Sequence, residues 1–160
     1  KELKALEENA TWELTDLPKG KKAISSKWVF KTKYKRNGEV ERLKARVVAR
    51  GDKQIKGKDY TDTFSPVAKF TTLRSLIALA TTQVWNLHQL DINNAFLHGY
   101  LEEEVYMRPP EGYKKAKPGQ VCKLKRSIYG LRQASREWNM ELSKFLRNFG
   151  MKIQERLLFL

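Results

Sequence analysis

Cysteine and histidine are nearly missing from this 160-residue sequence. The single Cys122 rules out an intramolecular disulfide and any zinc centre built from several thiolates, and such sparing cysteine use favours a reducing compartment. His88 and His98 are the only histidines, which removes multi-histidine metal sites. No stretch approaches the roughly 20 successive apolar residues that a membrane-spanning helix needs. Acidic residues are scarce as well: 18 Asp and Glu stand against 32 Lys and Arg, a formal net charge of +14. What remains is enough to fold. Hydrophobic residues at 41% and charged residues at 31% suit a packed core rather than a disordered chain, and the length fits one domain or a large piece of one. The sequence starts at Lys1 and ends in the apolar run LLFL, so it is expected to be a fragment of something longer.

The positive charge is concentrated. Residues 1–50 carry 14 basic and 7 acidic side chains, residues 51–100 carry 5 and 4, and residues 101–160 carry 13 and 7. Lys27 to Arg50 holds nine basic residues against Glu39 and Glu41, and Lys114 to Arg136 holds eight with no acid. One such run is ordinarily a solvated surface. Two runs around a nearly neutral apolar middle suggest a polyanionic partner, because Lys and Arg that neutralise phosphates release condensed counterions. Charge alone does not say which polyanion.

Local patterns give an α+β or α/β order with no repeat and no linker long enough to divide two domains. Residues 1–10 are helix-prone, and Leu17-Pro18-Lys19-Gly20 is a turn. Two β-rich runs, WVFKTKYK and VERLKARVVAR, flank Arg36-Asn37-Gly38-Glu39. Asn-Gly there predicts a type I′ hairpin, with positive φ at both central residues. Alternation sets Val29, Lys31, Lys33 and Lys35 on one side and Phe30, Thr32 and Tyr34 on the other, a ribbon with a cationic face. Residues 52–66 read as loop. Thr71 or Thr72 is expected to cap a helix from about Leu73 to Val84, with Leu73, Leu76, Ile77 and Ala80 on one stripe. Residues 87–91 read as a buried strand ending near Asp91, then a turn or short helix. Residues 104–113 give a short strand closed by Pro109-Pro110, and residues 121–129 another. A last helix fits Arg136 to Phe149, striped by Trp138, Leu142, Phe145, Leu146 and Phe149 and stopped by Gly150.

Asp91 is the residue that asks for an explanation. A carboxylate at the end of an apolar strand needs a partner charge or a metal; capping the Asn93-Asn94 turn, or a buried ion pair, would also satisfy it. Phe96, five residues on, suits a site or plain core packing equally.

The ordered set of four runs decides between these readings: WVFKTKYKRNGEVERLKARVVARG, SPVAKFTTLRSLIALA, LHQLDINNAFLHGYLEEEVYMRPPEGY and VCKLKRSIYGLRQASREWN. In this order and spacing it resembles the reverse transcriptase region of the Pol polyprotein of copia-type LTR retrotransposons. The likeness covers residues 1–150, while residues 151–160 (MKIQERLLFL) read as a divergent tail. It implies an α+β fold that is part of a right-handed polymerase: a fingers β-hairpin and an incomplete palm with an antiparallel sheet and helices. It implies that Arg46, with Lys35 or Lys33, meets the triphosphate, where guanidinium forks and compact ammonium charges suit phosphate oxygens. Asp91 matches the first palm aspartate, a ligand of both divalent cations (Mg²⁺ or Mn²⁺), with the Ile92 carbonyl as a further ligand. Phe96 matches the aromatic that excludes a 2′-hydroxyl. Tyr129 borders the nucleotide, Gly130 allows close backbone approach, and Arg132 or Gln133 faces template or primer. Ser135 stands where members often have Pro. Glu102 to Glu104 are expected in a solvated loop.

The partners so implied are an RNA or DNA primer–template, deoxynucleoside triphosphates and the rest of the Pol polyprotein, with no membrane. The implied location is cytoplasmic, in virus-like particles, or nuclear. One aspartate cannot hold two Mg²⁺ ions about 3.5–4 Å apart. The family's Asp-Asp hairpin has no counterpart among Asp16, Asp52, Asp59, Asp62 and Asp91. The chain is therefore expected to lack polymerase activity alone. The alternative is a non-catalytic nucleic-acid-binding remnant of a degenerate element.

Overall fold

Gln120–Arg126 form β6, an inner strand of a sheet, with Val121 buried on one face and Cys122 and Leu124 on the other. The computed structural model describes residues 1–151, so the divergent tail, apart from Met151, lies outside the described residues. β6 pairs antiparallel with β1 (Trp12–Asp16) on one side and with β5 (Tyr100–Met107) on the other. The two-residue β2 (Ala23–Ile24) adds to β5 in parallel, giving the order β1-β6-β5-β2. The fold is α+β, as expected, but this sheet is mixed rather than antiparallel throughout. β1 itself was not legible, because WELTD carries two acids in five residues.

β3 (Ser26–Tyr34) and β4 (Val40–Ala49) form a separate antiparallel ribbon. Its turn departs from the type I′ expectation. Gly38 has φ +84° but Asn37 does not have positive φ. The Gly38 N–H donates to the Lys35 carbonyl (3.0 Å) and the Lys35 N–H to the Glu39 carbonyl (2.8 Å). This is a longer loop with one left-handed glycine, and the register shifts just before it, between Lys33 and Tyr34.

Helix α1 (Glu2–Glu8) buries Leu6 against the core and sends the Glu2 carboxylate to the Val47 N–H (3.3 Å). Helix α3 (Ala134–Asn148) starts two residues before its expected position and ends as predicted, at Gly150 with φ +75°. Its stripe is only partly covered: Leu142 is buried, whereas Phe145 and Phe149 are exposed. Helix α2 (Phe70–Thr82) begins at the Lys69 N-cap, so Thr71 and Thr72 lie inside the first turn and cap nothing. It stops early because Val84 turns left-handed (φ +55°) and the Trp85 N–H folds back to the Ala80 carbonyl.

Two further expectations fail. Residues 85–92 form no strand and are exposed, because no described strand offers them a partner. Glu102 to Glu104 lie in β5, not in a loop. Glu104 pairs with Lys21 and Lys123, and the Glu103 carboxylate accepts from Thr61. A 3-10 turn at Ala95–His98 does follow Asp91, as read from the sequence. The core gathers Leu6, Val47, Leu97, Val105, Met107, Ile128 and Ala134 between the sheet, the hairpin base and α3.

Candidate functional site

The register of the ribbon fixes which cations share a face. Val29 stands opposite Arg46, Lys31 opposite Lys44, and Lys33 opposite Arg42. Directly opposed residues project to the same side of a two-stranded sheet. Lys31, Lys33, Arg42, Lys44 and Arg46 therefore line one face, and none forms an ion pair with any described residue. Alternation in the sequence places Lys31, Lys33 and Lys35 on one face, and the family resemblance singles out Arg46; Arg42 and Lys44 are missed, and only the pairing register brings them in. Lys35 lies past the strand end, and its ammonium is held by the Glu39 carboxylate at 3.2 Å. Asn37 and Lys35 both hold the Glu39 carboxyl below its usual value.

The second basic block behaves differently. Lys115 pairs with Glu7 (2.8 Å), Lys125 with Glu13 (2.6 Å) and Lys123 with Glu104 (3.5 Å). Their hydrogen bonds hold Glu7, Glu13 and Glu104 below the ordinary carboxylate range, with Lys21 contributing most at Glu104. Among the described residues these three lysines are thus compensated, whereas the cations of the hairpin face, and Lys114, Lys117, Arg126 and Arg132 of the second block, form no ion pair.

At the base of the cationic face the Arg46 guanidinium lies over the Tyr129 ring, 4.6 Å from its centroid. Phe96 meets Tyr129 edge-on at 4.9 Å and also packs against the core. Arg46, Tyr129 and Phe96, far apart in sequence, are brought together.

Gly130 makes a close backbone approach to β4. Its φ is +91°, a Cβ there would overlap the Ala49 carbonyl oxygen, and the Ala49 N–H donates to the Tyr129 carbonyl at 2.8 Å. Gly51 packs equally tightly on the Gly130 carbonyl. Gln133 does not face solvent. It is wholly buried, bonded to the Gln54 amide (3.1 Å) and to the Asp59 carbonyl (3.0 Å). Arg132 is exposed, but its Nε donates to the Gly51 carbonyl (3.1 Å).

Asp91 sits in the irregular exposed segment and has no side-chain hydrogen bond or ion pair with a described residue; Ile92 is 39% exposed. Neither the cap nor the buried ion pair is present, and the Asn94 N-cap of the 3-10 turn is itself left-handed. Among the described residues no three His, Cys, Asp or Glu side chains converge where a metal ion could be held. One carboxylate does not fit a two-cation centre.

A family model described as "Reverse transcriptase (RNA-dependent DNA polymerase)" matches residues 9–158, running into the segment read as divergent. The chain is 46% identical over 148 residues to the retrovirus-related Pol polyprotein from transposon TNT 1-94 of Nicotiana tabacum, covering 92% of this chain and 11% of that protein. It is 44% identical over 144 residues to the corresponding polyprotein from transposon RE1 of Arabidopsis thaliana, covering 89% and 10%. To the transposon Ty1-ER2 Gag-Pol polyprotein of Saccharomyces cerevisiae it is 33% identical, covering 91% and 8%. The chain thus spans about a tenth of the length of these relatives. No solved structure matches it.

Proposed function

Because the chain belongs to the reverse transcriptase family, as part of a copia-type retrotransposon Pol polyprotein, we propose that it supplies the nucleotide-facing fingers hairpin and the first palm carboxylate of a right-handed polymerase. The complete polymerase would add deoxynucleotides to a primer on an RNA or DNA template, releasing pyrophosphate. One observation carries the reading: a row of unpaired cations leads to Arg46, which is stacked on Tyr129 beside Phe96.

In this reading the hairpin neutralises the triphosphate. Arg46 offers a planar fork to phosphate oxygens. Lys31 and Lys44 stand one two-residue step from it, roughly 7 Å along the strands, and Lys33 and Arg42 stand two steps away. Lys35, engaged by Glu39, is the weaker candidate. Phe96 and Tyr129 wall the sugar and base, with Phe96 excluding a 2′-hydroxyl, and Arg132 is the side chain left exposed toward template or primer. Divalent cations, when bound in the complete polymerase, would activate the primer hydroxyl and stabilise the leaving pyrophosphate. The residues present fit only Asp91 and the Ile92 carbonyl to that role and do not complete a centre, so this chain is proposed to be inactive alone.

Primer extension tests both halves. The 160 residues with Mg²⁺ and deoxynucleotides are expected to yield no product, and product would refute the incompleteness. In the complete polymerase, Asp91→Asn is expected to abolish extension while leaving the protein folded. Retained extension would remove Asp91 from the site.

A further inference from the structure

We propose that Gln54 and Gln133 are positioning residues: a buried amide pair that fixes the exit of the cationic hairpin against the 129–134 turn and so holds Arg46 over Tyr129. Its consequence for nucleotide binding rests on the function proposed above; the anchoring itself does not.

The two side chains are 79 residues apart and both buried, Gln133 at 0% exposure and Gln54 at 8%. The Gln54 Nε2 donates to the Gln133 Oε1 at 3.1 Å. The Gln133 Nε2 donates to the Asp59 carbonyl at 3.0 Å, and the Gln54 Oε1 accepts from the Arg132 backbone N–H at 2.8 Å. Each amide therefore donates and accepts, and together they bind residues 54–59 to residues 132–133. Replacing both side chains by apolar groups would remove the bond between them without leaving either amide unpaired, but would strip a partner from the Arg132 N–H and from the Asp59 carbonyl. What the amides add is direction, because their hydrogen bonds hold only in one mutual geometry.

Direction matters because the hairpin is a lever. β4 runs ten residues from Val40 to Ala49, roughly 33 Å, and Arg46 lies three residues, roughly 10 Å, from Ala49. A swing of about 10° at the exit would carry Arg46 by about 2 Å and the tip by about 6 Å. Displacements near 1 Å cost about a hundredfold in a positioned site. The seam is close-packed, so a small swing is felt across it: Gly51 and Gly130 are in backbone contact, and the Arg132 Nε donates to the Gly51 carbonyl. The glutamine pair lies directly behind that seam.

The test uses the complete polymerase carrying this chain, with the double variant Gln54→Met/Gln133→Met, which keeps volume and removes the bonds. Nucleotide KM is expected to rise on the order of tenfold or more, alongside a lowered thermal midpoint, because the Arg132 N–H and the Asp59 carbonyl lose their partners. Amide exchange at Ala49, whose N–H is bonded across the seam to the Tyr129 carbonyl, is expected to quicken by a similar factor. A structural role alone would lower the active fraction, and with it apparent kcat, at unchanged KM; that result overturns the proposal, as does unaltered exchange. If the double variant fails to fold, Gln54→Ala, which opens the near-surface partner to water, is judged by the same two readouts. Arg46→Ala separates the two claims. If it leaves KM unchanged the nucleotide reading fails, while the exchange data still decide the anchoring.

Discussion

Gly130 shows how a single residue constrains the site. Its backbone is left-handed, and the space a side chain would take is filled by the Ala49 carbonyl. Gly130→Ala must therefore strain the backbone and push β4 away from the 128–131 segment. Residues forced into sparsely allowed backbone regions cost about 1–3 kcal/mol, before the clash is counted. Urea unfolding is expected to show a loss of at least that size, together with loss of the Arg46–Tyr129 contact; an unchanged midpoint would mean that β4 yields freely. Glu137 acts through charge. It is 5% exposed on α3, and burial pushes its carboxyl above the ordinary 4.5, with Arg136 opposing and Glu103 and Glu102 adding to the rise. A carboxyl raised in the folded state binds its proton more tightly there than in the unfolded chain. Stability is then unaffected below the unfolded value, falls as pH climbs from about 4.5 to the raised value, and levels off above it. Glu137→Gln is expected to remove that fall, seen as a flatter plot of urea midpoint against pH. An identical slope in both proteins would show that Glu137 does not titrate abnormally.

At the scale of elements, what was legible followed from local chemistry. β3, β4, β6, α1 and α3 rest on alternation, helical stripes and a stopping glycine, all present within a few residues of one another. The hairpin's cationic face was legible for the same reason. The failures are non-local. A strand at residues 87–91 needs a neighbour's backbone groups, and β5 gains its first residues only because Tyr100 pairs with Arg126. The resemblance sets Arg132 or Gln133 facing template or primer, and nothing in the neighbourhood of Gln133 in sequence points to Gln54, its partner 79 residues away. Helix α2 carries the clearest physical consequence. Its stripe was read correctly, yet Leu73, Leu76, Ile77 and Leu79 are all more than 40% exposed and only Ala80 is buried. With Phe64, Val67, Phe70 and Trp85 also exposed, residues 64–85 present a run of uncovered apolar side chains, the kind of surface that favours association. The isolated 160 residues are expected to associate as concentration rises. Leu76→Lys with Leu79→Lys should reduce that association in sedimentation experiments while shifting stability by little, since neither side chain is buried. A monomer at all concentrations with the native leucines would show that α2 finds cover in solution.

Over the whole molecule the net charge of +14 conceals two unlike surfaces. On the hairpin, Lys31, Lys33, Arg42, Lys44 and Arg46 have no acidic partner among the described residues, while Lys115, Lys123 and Lys125 are spent on Glu7, Glu104 and Glu13. Only the first set can release counterions from a polyanion without first breaking an ion pair. Binding of primer–template should then weaken steeply with salt, with a slope of log affinity against log salt of about −4.5 if the five hairpin cations engage phosphates at about −0.9 each. Lys31→Ala and Lys44→Ala should each weaken binding evenly across sequences and lower the slope by about one. Lys115→Ala and Lys125→Ala should leave it where it was. Equal effects from both pairs would mean that affinity follows total charge rather than the hairpin face, and the polymerase geometry would then have no part in binding. A salt-independent affinity would exclude phosphate contacts altogether and leave the cationic ribbon a solvated surface.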